Sequence, residues 1–299
     1  MTSETPDFRQ ALDTVLPMLE GMCGHLGRKP STTREKLESL VVRKASAKPT
    51  DPADTVKEKP AKSPVPAPSV SVTRTAPEPN PASAVPALSN EERLAKLAAL
   101  KVRILECTKC PNLVRSRTQV VYGVGNPFAE LMFVGEAPGE EEDLKGEPFI
   151  GKAGQLLTKI IGVMEYTRED IFIANVLKCR PDMPAGESGN RKPKPGEMAT
   201  CLPWLREQIY LIRPKVIVAL GLTAVEGLLG EPRTMRDVRG KWLDYHGVPL
   251  MPTYHPAYLL RNQTLAEKRK VWEDMLLVME KLGRPISAKQ RGYFLEKAS

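Results

Sequence analysis

Four short apolar runs mark the second half of the chain: Leu131–Val134, Ile171–Val176, Val216–Leu220 and Val248–Met251. Each reads as a buried strand. Between them, helical periodicity predicts helices over Gly154–Tyr166, Pro195–Ile212 and Leu222–Leu229. Upstream, Ser89-Asn90-Glu91-Glu92 has the form of a capping box. It opens a helix with Leu94, Leu97, Leu100 and Ile104 on one side, which delivers the chain to Cys107. A last helix is expected from about Thr264 to Leu282, with Leu265, Val271, Met275 and Val278 on its apolar side. Strands alternating with helices predict an α/β fold: three layers, α/β/α, around a four-stranded, mostly parallel central sheet.

The first part of the chain has a different character. Residues 7–26 carry a helical stripe of Phe8, Leu12, Val15, Leu16, Leu19 and Met22, interrupted by Pro17. A docking helix and a marginal helix without a partner are both consistent with it, and Cys23 and His25 have no further ligands nearby. From Pro49 to Pro86 there are 10 prolines in 38 residues, a composition that cannot bury enough apolar surface to offset its ordering entropy. The expected organisation is a short helix within 1–28, a disordered Pro/Ala/Ser-rich linker at 29–88, one folded domain at 89–285 and a basic tail at 286–299. No basic-then-apolar leader opens the chain, and no apolar run approaches the ~20 residues of a membrane helix. A soluble, intracellular, cytoplasmic protein is expected.

Net charge is +8. Residues 1–88 hold 12 basic and 10 acidic side chains, so 32 and 26 fall in the remainder, which carries +6 of the excess. A basic domain suits an anionic partner such as nucleic acid. Five cysteines in a reducing compartment argue against a disulfide framework. Four of them lie outside the apolar strands. Cys107 and Cys110 form a CxxC, 68 residues separate Cys110 from Cys179, and 21 separate Cys179 from Cys201. Such thiols are spaced as ligands for a soft metal. Structural zinc usually takes two short-spaced pairs, whereas a four-cysteine iron–sulfur cluster tolerates distant ligands, so spacing favours a cluster only modestly and leaves zinc open.

The first strand runs into Gly135-Glu136-Ala137-Pro138-Gly139-Glu140-Glu141-Glu142-Asp143, and further on comes Pro148-Phe149-Ile150-Gly151-Lys152-Ala153-Gly154. Glycines allow tight turns and close approach of backbone to ligand, and Phe149, in a loop between Pro and Gly, is a candidate stacking platform or a hydrophobic plug. Asn175 is a polar residue in an apolar strand run, so its amide is either satisfied in the core or aimed at a ligand. The fourth strand runs into Tyr254-His255-Pro256. Glu136, Asn175 and His255 thus map to the ends of parallel strands, where α/β sheets bind ligands.

These pieces closely resemble the family 4 uracil-DNA glycosylases, the iron–sulfur members of the uracil glycosylase superfamily. The matching segments are the CxxC, Val121–Gly125, the GEAPG loop, the PFIGKAG run, Asn175–Pro181, Gly189-Asn190-Arg191, Cys201, Val238–Trp242 and His255–Arg261, covering about residues 95 to 282. The resemblance implies a structural [4Fe–4S] cluster on Cys107, Cys110, Cys179 and Cys201. It also implies a monofunctional glycosylase that hydrolyses the N-glycosidic bond of deoxyuridine in single- or double-stranded DNA, the opening step of base excision repair. On the same ground Phe149 stacks on uracil, Asn175 reads its polar edge, Gly135 lies in the substrate pocket, and Glu142 lies near C5 of the base. His255 supports the charge on O2, while Glu136 and Asn190 hold the attacking water. Pro138, Gly139, Lys152 and Arg261 meet the DNA, with Arg239 and Lys241 as further phosphate contacts. Two departures stand out: Ala137 occupies the place of an aspartate found in better-known uracil glycosylases, and Pro181–Pro195 is longer than the family's pattern. A monomer is expected, associated with the nucleoid when acting, with residues 1–88 a possible site for a protein partner. The rival reading is a non-catalytic, metal-containing nucleic-acid-binding module linked to replication, and a weaker one a glycosylase for another damaged base.

Overall fold

A computed structural model of the chain describes residues 88–184, 186–187 and 189–295; the expectations made for residues 1–87 fall outside them. Helix α1 (Asn90–Leu105) opens with the expected reciprocal cap: the Ser89 hydroxyl accepts the Glu92 amide, and the Glu92 carboxylate accepts the Ser89 amide. The chain continues through α2 (Pro111–Ser116), β1 (Val124–Gly125), β2 (Leu131–Gly135), α3 (Glu140–Lys145), α4 (Lys152–Val163) and β3 (Phe172–Asn175). It then forms α5 (Pro195–Ile212), β4 (Val216–Leu220), α6 (Leu222–Leu229), α7 (Met235–Val238), β5 (Leu243–Tyr245) and β6 (Val248–Thr253). The last elements are α8 (Pro256–Arg261), α9 (Leu265–Lys281) and α10 (Ala288–Arg291).

The strands form one sheet in the order β1-β3-β2-β4-β6-β5. Its four inner strands, β3-β2-β4-β6, are parallel and correspond to the four apolar runs. The sheet has six strands rather than four because an antiparallel strand lies at each edge. On one side β5 and β6 make a hairpin through His246 and Gly247, both at positive φ (50° and 85°), the conformation of a two-residue turn matched to strand twist. A histidine in this turn carries none of the usual Asn-Gly or Asp-Gly signal. Strand β6 also runs two residues past the expected Met251, through Pro252 to Thr253; a proline inside a strand hides it from a pattern reading.

Side chains of the inner strands alternate between two cores, which defines the three layers. Met132 and Val134 of β2, Phe172 and Ala174 of β3 and Ile217 and Ala219 of β4 pack with Leu100 and Ile104 of α1 and Leu205 and Ile209 of α5. Leu131, Phe133, Ile173 and Val218 face the other way, onto Leu157 and Ile161 of α4 and Met275 and Val278 of α9. Phe133 is fully buried, and burial of such a side chain contributes about 2–3 kcal/mol. The expected basic tail from 286 onward is, through residue 295, part of the domain. The Trp272 indole N–H donates to the Gln290 carbonyl at 2.6 Å, and the Gln290 amide donates to the Val163 carbonyl at 2.9 Å.

Candidate active site

The parallel register sets Gly135, the last residue of β2, directly beside Asn175, the last residue of β3. A Cβ built on Gly135 would lie 2.4 Å from Asn175 Oδ1 and 2.4 Å from Phe149 Cζ. Only a glycine lets the amide and the ring meet over the strand end. Asn175 is buried, and its Oδ1 finds no hydrogen-bond partner among the described residues. An unsatisfied buried acceptor costs about 1–3 kcal/mol, which marks it as a group kept open for a ligand.

Phe149 is buried with φ of 55°, a conformation that costs a non-glycine residue on the order of 1–3 kcal/mol unless its surroundings impose it. Here three contacts do. The Arg168 guanidinium donates to the carbonyls of Pro148 (2.8 Å) and Phe149 (3.1 Å). The Glu142 carboxylate accepts the amides of Ile150 and Gly151, both at 3.0 Å. Gly154 lies under the Phe149 carbonyl, which would be 1.8 Å from any Cβ placed there. The ring itself sits 5.6 Å from the His255 ring.

His255 is the N-cap of α8, and its Nδ1 accepts the Ala257 amide at 3.1 Å. Burial, with repulsion from Arg261 added and attraction from Glu142 opposing, pulls the imidazole down to about 4. The ring is therefore neutral at pH 7, and a neutral ring accepting at Nδ1 carries its proton on Nε2. Glu136 follows Gly135 directly. Burial raises its carboxyl above the usual range, with the Thr223 hydroxyl and Lys192 working against the shift and Glu226 reinforcing it. Asn190 lies against the turn before α3: its Nδ2 would be 3.2 Å from a Cβ on Gly139.

The remaining sequence-derived candidates fall into two groups. Gly139 is half-buried in the turn before α3, while Lys152, at the first turn of α4, Arg261, at the end of α8, and Lys241 are exposed. The Glu142 oxygens are taken by the amides of Gly139 (3.1 Å), Ile150 and Gly151, so it shapes the loop that carries Phe149. Two side chains stand differently from expectation. Pro138 is buried, which withdraws it from a DNA-facing surface. Arg239 is drawn inward onto the buried Asp274 (2.9 Å) and the Lys270 carbonyl (2.9 Å). Asp274 also accepts the Thr253 hydroxyl at 2.7 Å.

Cys107, Cys110, Cys179 and Cys201 line one small internal cavity together with Leu113, Arg117 and Trp204. Arg117 Nη1 donates to Cys179 Sγ at 3.0 Å, and the Lys178 amide donates to Cys201 Sγ at 3.2 Å. Burial pushes the Cys201 thiol up to about 12, against the pull of Lys178. Burial also raises Cys110 and Cys179. Among the described residues no three thiol, imidazole or carboxylate groups converge as a single-ion site. A lone zinc needs its sulfurs about 2.3 Å from one point. Four thiols around a cavity, with N–H donors aimed at two of the sulfurs, fit a group that spreads its ligands over several metal atoms.

Several structural residues carry no signal in the sequence. Arg168 and Arg117 are ordinary-looking basic residues in loops. Lys178 is fully buried beside the thiols, donates to Gln208 Oε1 at 2.6 Å, and is lowered by burial to about 8. Arg191 binds Asp182 and both oxygens of Glu197 (2.7 and 2.9 Å), and Asn112 donates to the same two carboxylates at 3.1 and 2.9 Å. Although burial opposes it, these bonds and the Lys194 amide pull Glu197 down to about 2. This cluster fastens the loop between Cys179 and Cys201.

A strand-end pocket with an aromatic platform, an open amide and a neutral histidine, on a three-layer α/β fold, belongs to a class that recognises a planar heterocycle. Residues 122–276 match the uracil DNA glycosylase superfamily. The chain is 46% identical to the type-4 uracil-DNA glycosylase of Thermotoga maritima over 175 residues, 58% of this chain and 88% of the relative. It is 43% identical to that of Archaeoglobus fulgidus over 173 residues, 55% and 83% of the two chains. A type-5 uracil-DNA glycosylase of Pyrobaculum aerophilum is 29% identical over 204 residues, 55% and 87% of the two chains. The chain belongs to the uracil-DNA glycosylase superfamily, in its type-4 family.

Proposed function

We propose that the protein is a monofunctional uracil-DNA glycosylase that opens base excision repair by hydrolysing the N-glycosidic bond of deoxyuridine, leaving an abasic site. The observation that carries this reading is the buried, unpartnered Asn175 Oδ1 beside the Phe149 ring. Uracil offers N3–H and O4 side by side, so one amide can accept from the first and donate to the second. Cytosine reverses the polarity at position 4 and leaves buried groups mispaired, a strong basis for rejection.

The target base is flipped from the duplex at a cost of a few kcal/mol, or met in a single strand. It stacks on Phe149 over Gly135. As the bond lengthens, negative charge gathers on O2, and His255 donates from Nε2 to it. A neutral imidazole suits a hydrogen bond that strengthens with the developing charge. Glu136 and Asn190 hold the attacking water and balance the cationic sugar, since Ala137 has no group to do so. Glu142 and Gly135 shape the base site, and Gly139, Lys152 and Arg261 meet the DNA.

The cavity thiols of Cys107, Cys110, Cys179 and Cys201 are the proposed ligands of a structural [4Fe–4S] cluster, with zinc the alternative. When bound, it supplies cross-linking and no chemistry to the hydrolysis. The catalytic unit is residues 89–285, with residues 286–295 packed against it, acting as a cytoplasmic monomer on uracil-containing DNA. Among the described residues no helix is long and apolar enough to cross a membrane.

Incubation with single- and double-stranded oligonucleotides carrying one uracil, followed by alkali, tests the activity. Strand scission at the uracil position is expected from both; metal-loaded protein that binds DNA but yields no scission would point to a binding module instead.

A further inference from the structure

We infer that Arg168 is a positioning residue for base recognition: its guanidinium, by spanning the carbonyls of Pro148 and Phe149, sets the plane of the aromatic platform. The inference rests on the reading of Phe149 as the surface on which the base stacks.

The geometry that supports it is a loop gripped from both sides. The four residues from Pro148 to Gly151 present two carbonyls to one cation and two amides to one anion. Arg168 holds the carbonyls, at 2.8 and 3.1 Å. Glu142 holds the amides, at 3.0 Å each. Between these grips lies Phe149, in the left-handed region that a phenylalanine rarely adopts. Without the carbonyl grip, only the close packing of Gly154 on the Phe149 carbonyl remains on that side to oppose relaxation to negative φ. Such a flip would swing the ring away from Gly135 and out of line with Asn175.

Arg168 is suited to this task. It comes from the turn between α4 and β3, so it ties the loop to the strand that ends in Asn175. It is half-buried, and desolvation lowers its guanidinium, with Glu147 and Glu169 partly compensating. A third bond, to Thr158 Oγ1 on α4 at 3.2 Å, fixes the fork against the helix that follows the loop. A planar fork can span two carbonyls at fixed spacing; a lysine ammonium, a point charge on a flexible stem, cannot. No contact of Arg168 reaches Asn175, Glu136 or His255, so any effect on chemistry must travel through the loop.

The test compares wild type, Arg168→Ala and Arg168→Lys in two measurements. The first is hydrogen exchange of the backbone amides of Ile150 and Gly151, read without substrate. The second is single-turnover uracil release at saturating enzyme, well below the thermal midpoint, with and without added guanidinium ion. In Arg168→Ala, exchange at the two amides is expected to rise while core strands stay protected. Release is expected to fall roughly tenfold to a hundredfold, the scale of lost charge-assisted hydrogen bonds. Guanidinium should restore part of the rate, and Arg168→Lys should remain impaired despite its charge. A general loss of fold would give neither rescue nor localised exchange.

Wild-type exchange and rate in Arg168→Ala would overturn the inference, as would a rate loss with unchanged loop exchange. Should Arg168→Ala not fold, Arg168→Lys decides: full activity in that variant removes the need for the fork. If the wild type itself releases no uracil, the glycosylase reading fails, while the exchange data still decide whether Arg168 sets the loop.

Discussion

The Glu142 carboxylate accepts the Ile150 amide at 3.0 Å, so the first turn of one helix controls the loop that leads into another. The same carboxylate takes the amides of Gly139 and Gly151. Replacing it by Gln keeps size and removes an acceptor oxygen, leaving an NH2 facing backbone N–H groups. Each unsatisfied amide costs about 1–3 kcal/mol. Glu142→Gln is expected to reduce uracil release about tenfold or more. If the carboxylate also excludes a methyl at C5, thymine release rises in the same variant; thymine release at background assigns it to the loop alone. Excision assays on matched uracil and thymine oligonucleotides check both halves.

Gly135 and Asn175 give a pair of contrasting outcomes. Gly135→Ala places a methyl 2.4 Å from both Asn175 Oδ1 and Phe149 Cζ, so it must push the amide and the ring apart. Uracil release is expected to drop by more than about a hundredfold, with some loss of thermal stability from the forced repacking. Asn175→Ala should lose activity on a similar scale. It should lower the thermal midpoint little, since it also removes a buried acceptor that has no partner. Calorimetry alongside kinetics separates the two.

His255 makes a definite statement about pH. Its folded value, about 4, lies below the ordinary 6.5, so the unfolded chain binds the proton more readily. The stabilising effect of the neutral ring is complete above about pH 6.5 and is lost as pH falls towards 4. Asp274 has the opposite sense. Burial raises it from 3.8 to about 6, so its contribution favours the fold below about pH 4 and fades as pH rises through 6. Comparing thermal midpoints of wild type and His255→Gln from pH 7 to pH 4 isolates the first effect. The gap between the two should shrink on acidification. Uracil release by the wild type should hold steady between pH 6 and 8 as far as His255 is concerned.

Cys201 tests the metal assignment. Cys201→Ala removes one thiol from the cavity and the acceptor of the Lys178 amide. Visible absorbance and iron content should fall sharply, and the thermal midpoint should drop by several degrees, while the far-ultraviolet circular dichroism of the α/β fold persists. Colourless wild type holding one zinc per chain would reverse the choice of metal.

The layering was legible in the sequence because the inner strands are short, apolar and separated by periodic helices. Leu131–Val134 and Val216–Leu220 could hardly be anything else. The edge strands were not. Val124–Gly125 is two residues long, and Leu243–Tyr245 turns through a histidine held at positive φ. The site was half legible. Asn175, Phe149 and His255 stand out because each breaks a local rule: an amide in an apolar strand, an aromatic in a glycine loop, a histidine at a strand end. Arg168, Arg117 and Lys178 break none. Their meaning lies in contacts made by the tertiary fold, such as the 30 residues that separate Lys178 from Gln208. The inward turn of Glu142 is of the same kind, because an acidic residue early in a helix has several equally ordinary partners.

Asn112 lies two residues after Cys110, Asp182 three after Cys179, and Glu197 four before Cys201; Arg191 and Asn112 join all of them. Three thiol-bearing segments are therefore latched to one another by polar bonds that use no sulfur. The spacing of the four thiols is thus set by carboxylates, an amide and a guanidinium that lie outside the cavity itself, so a change at Arg191 reaches the cysteines without touching one.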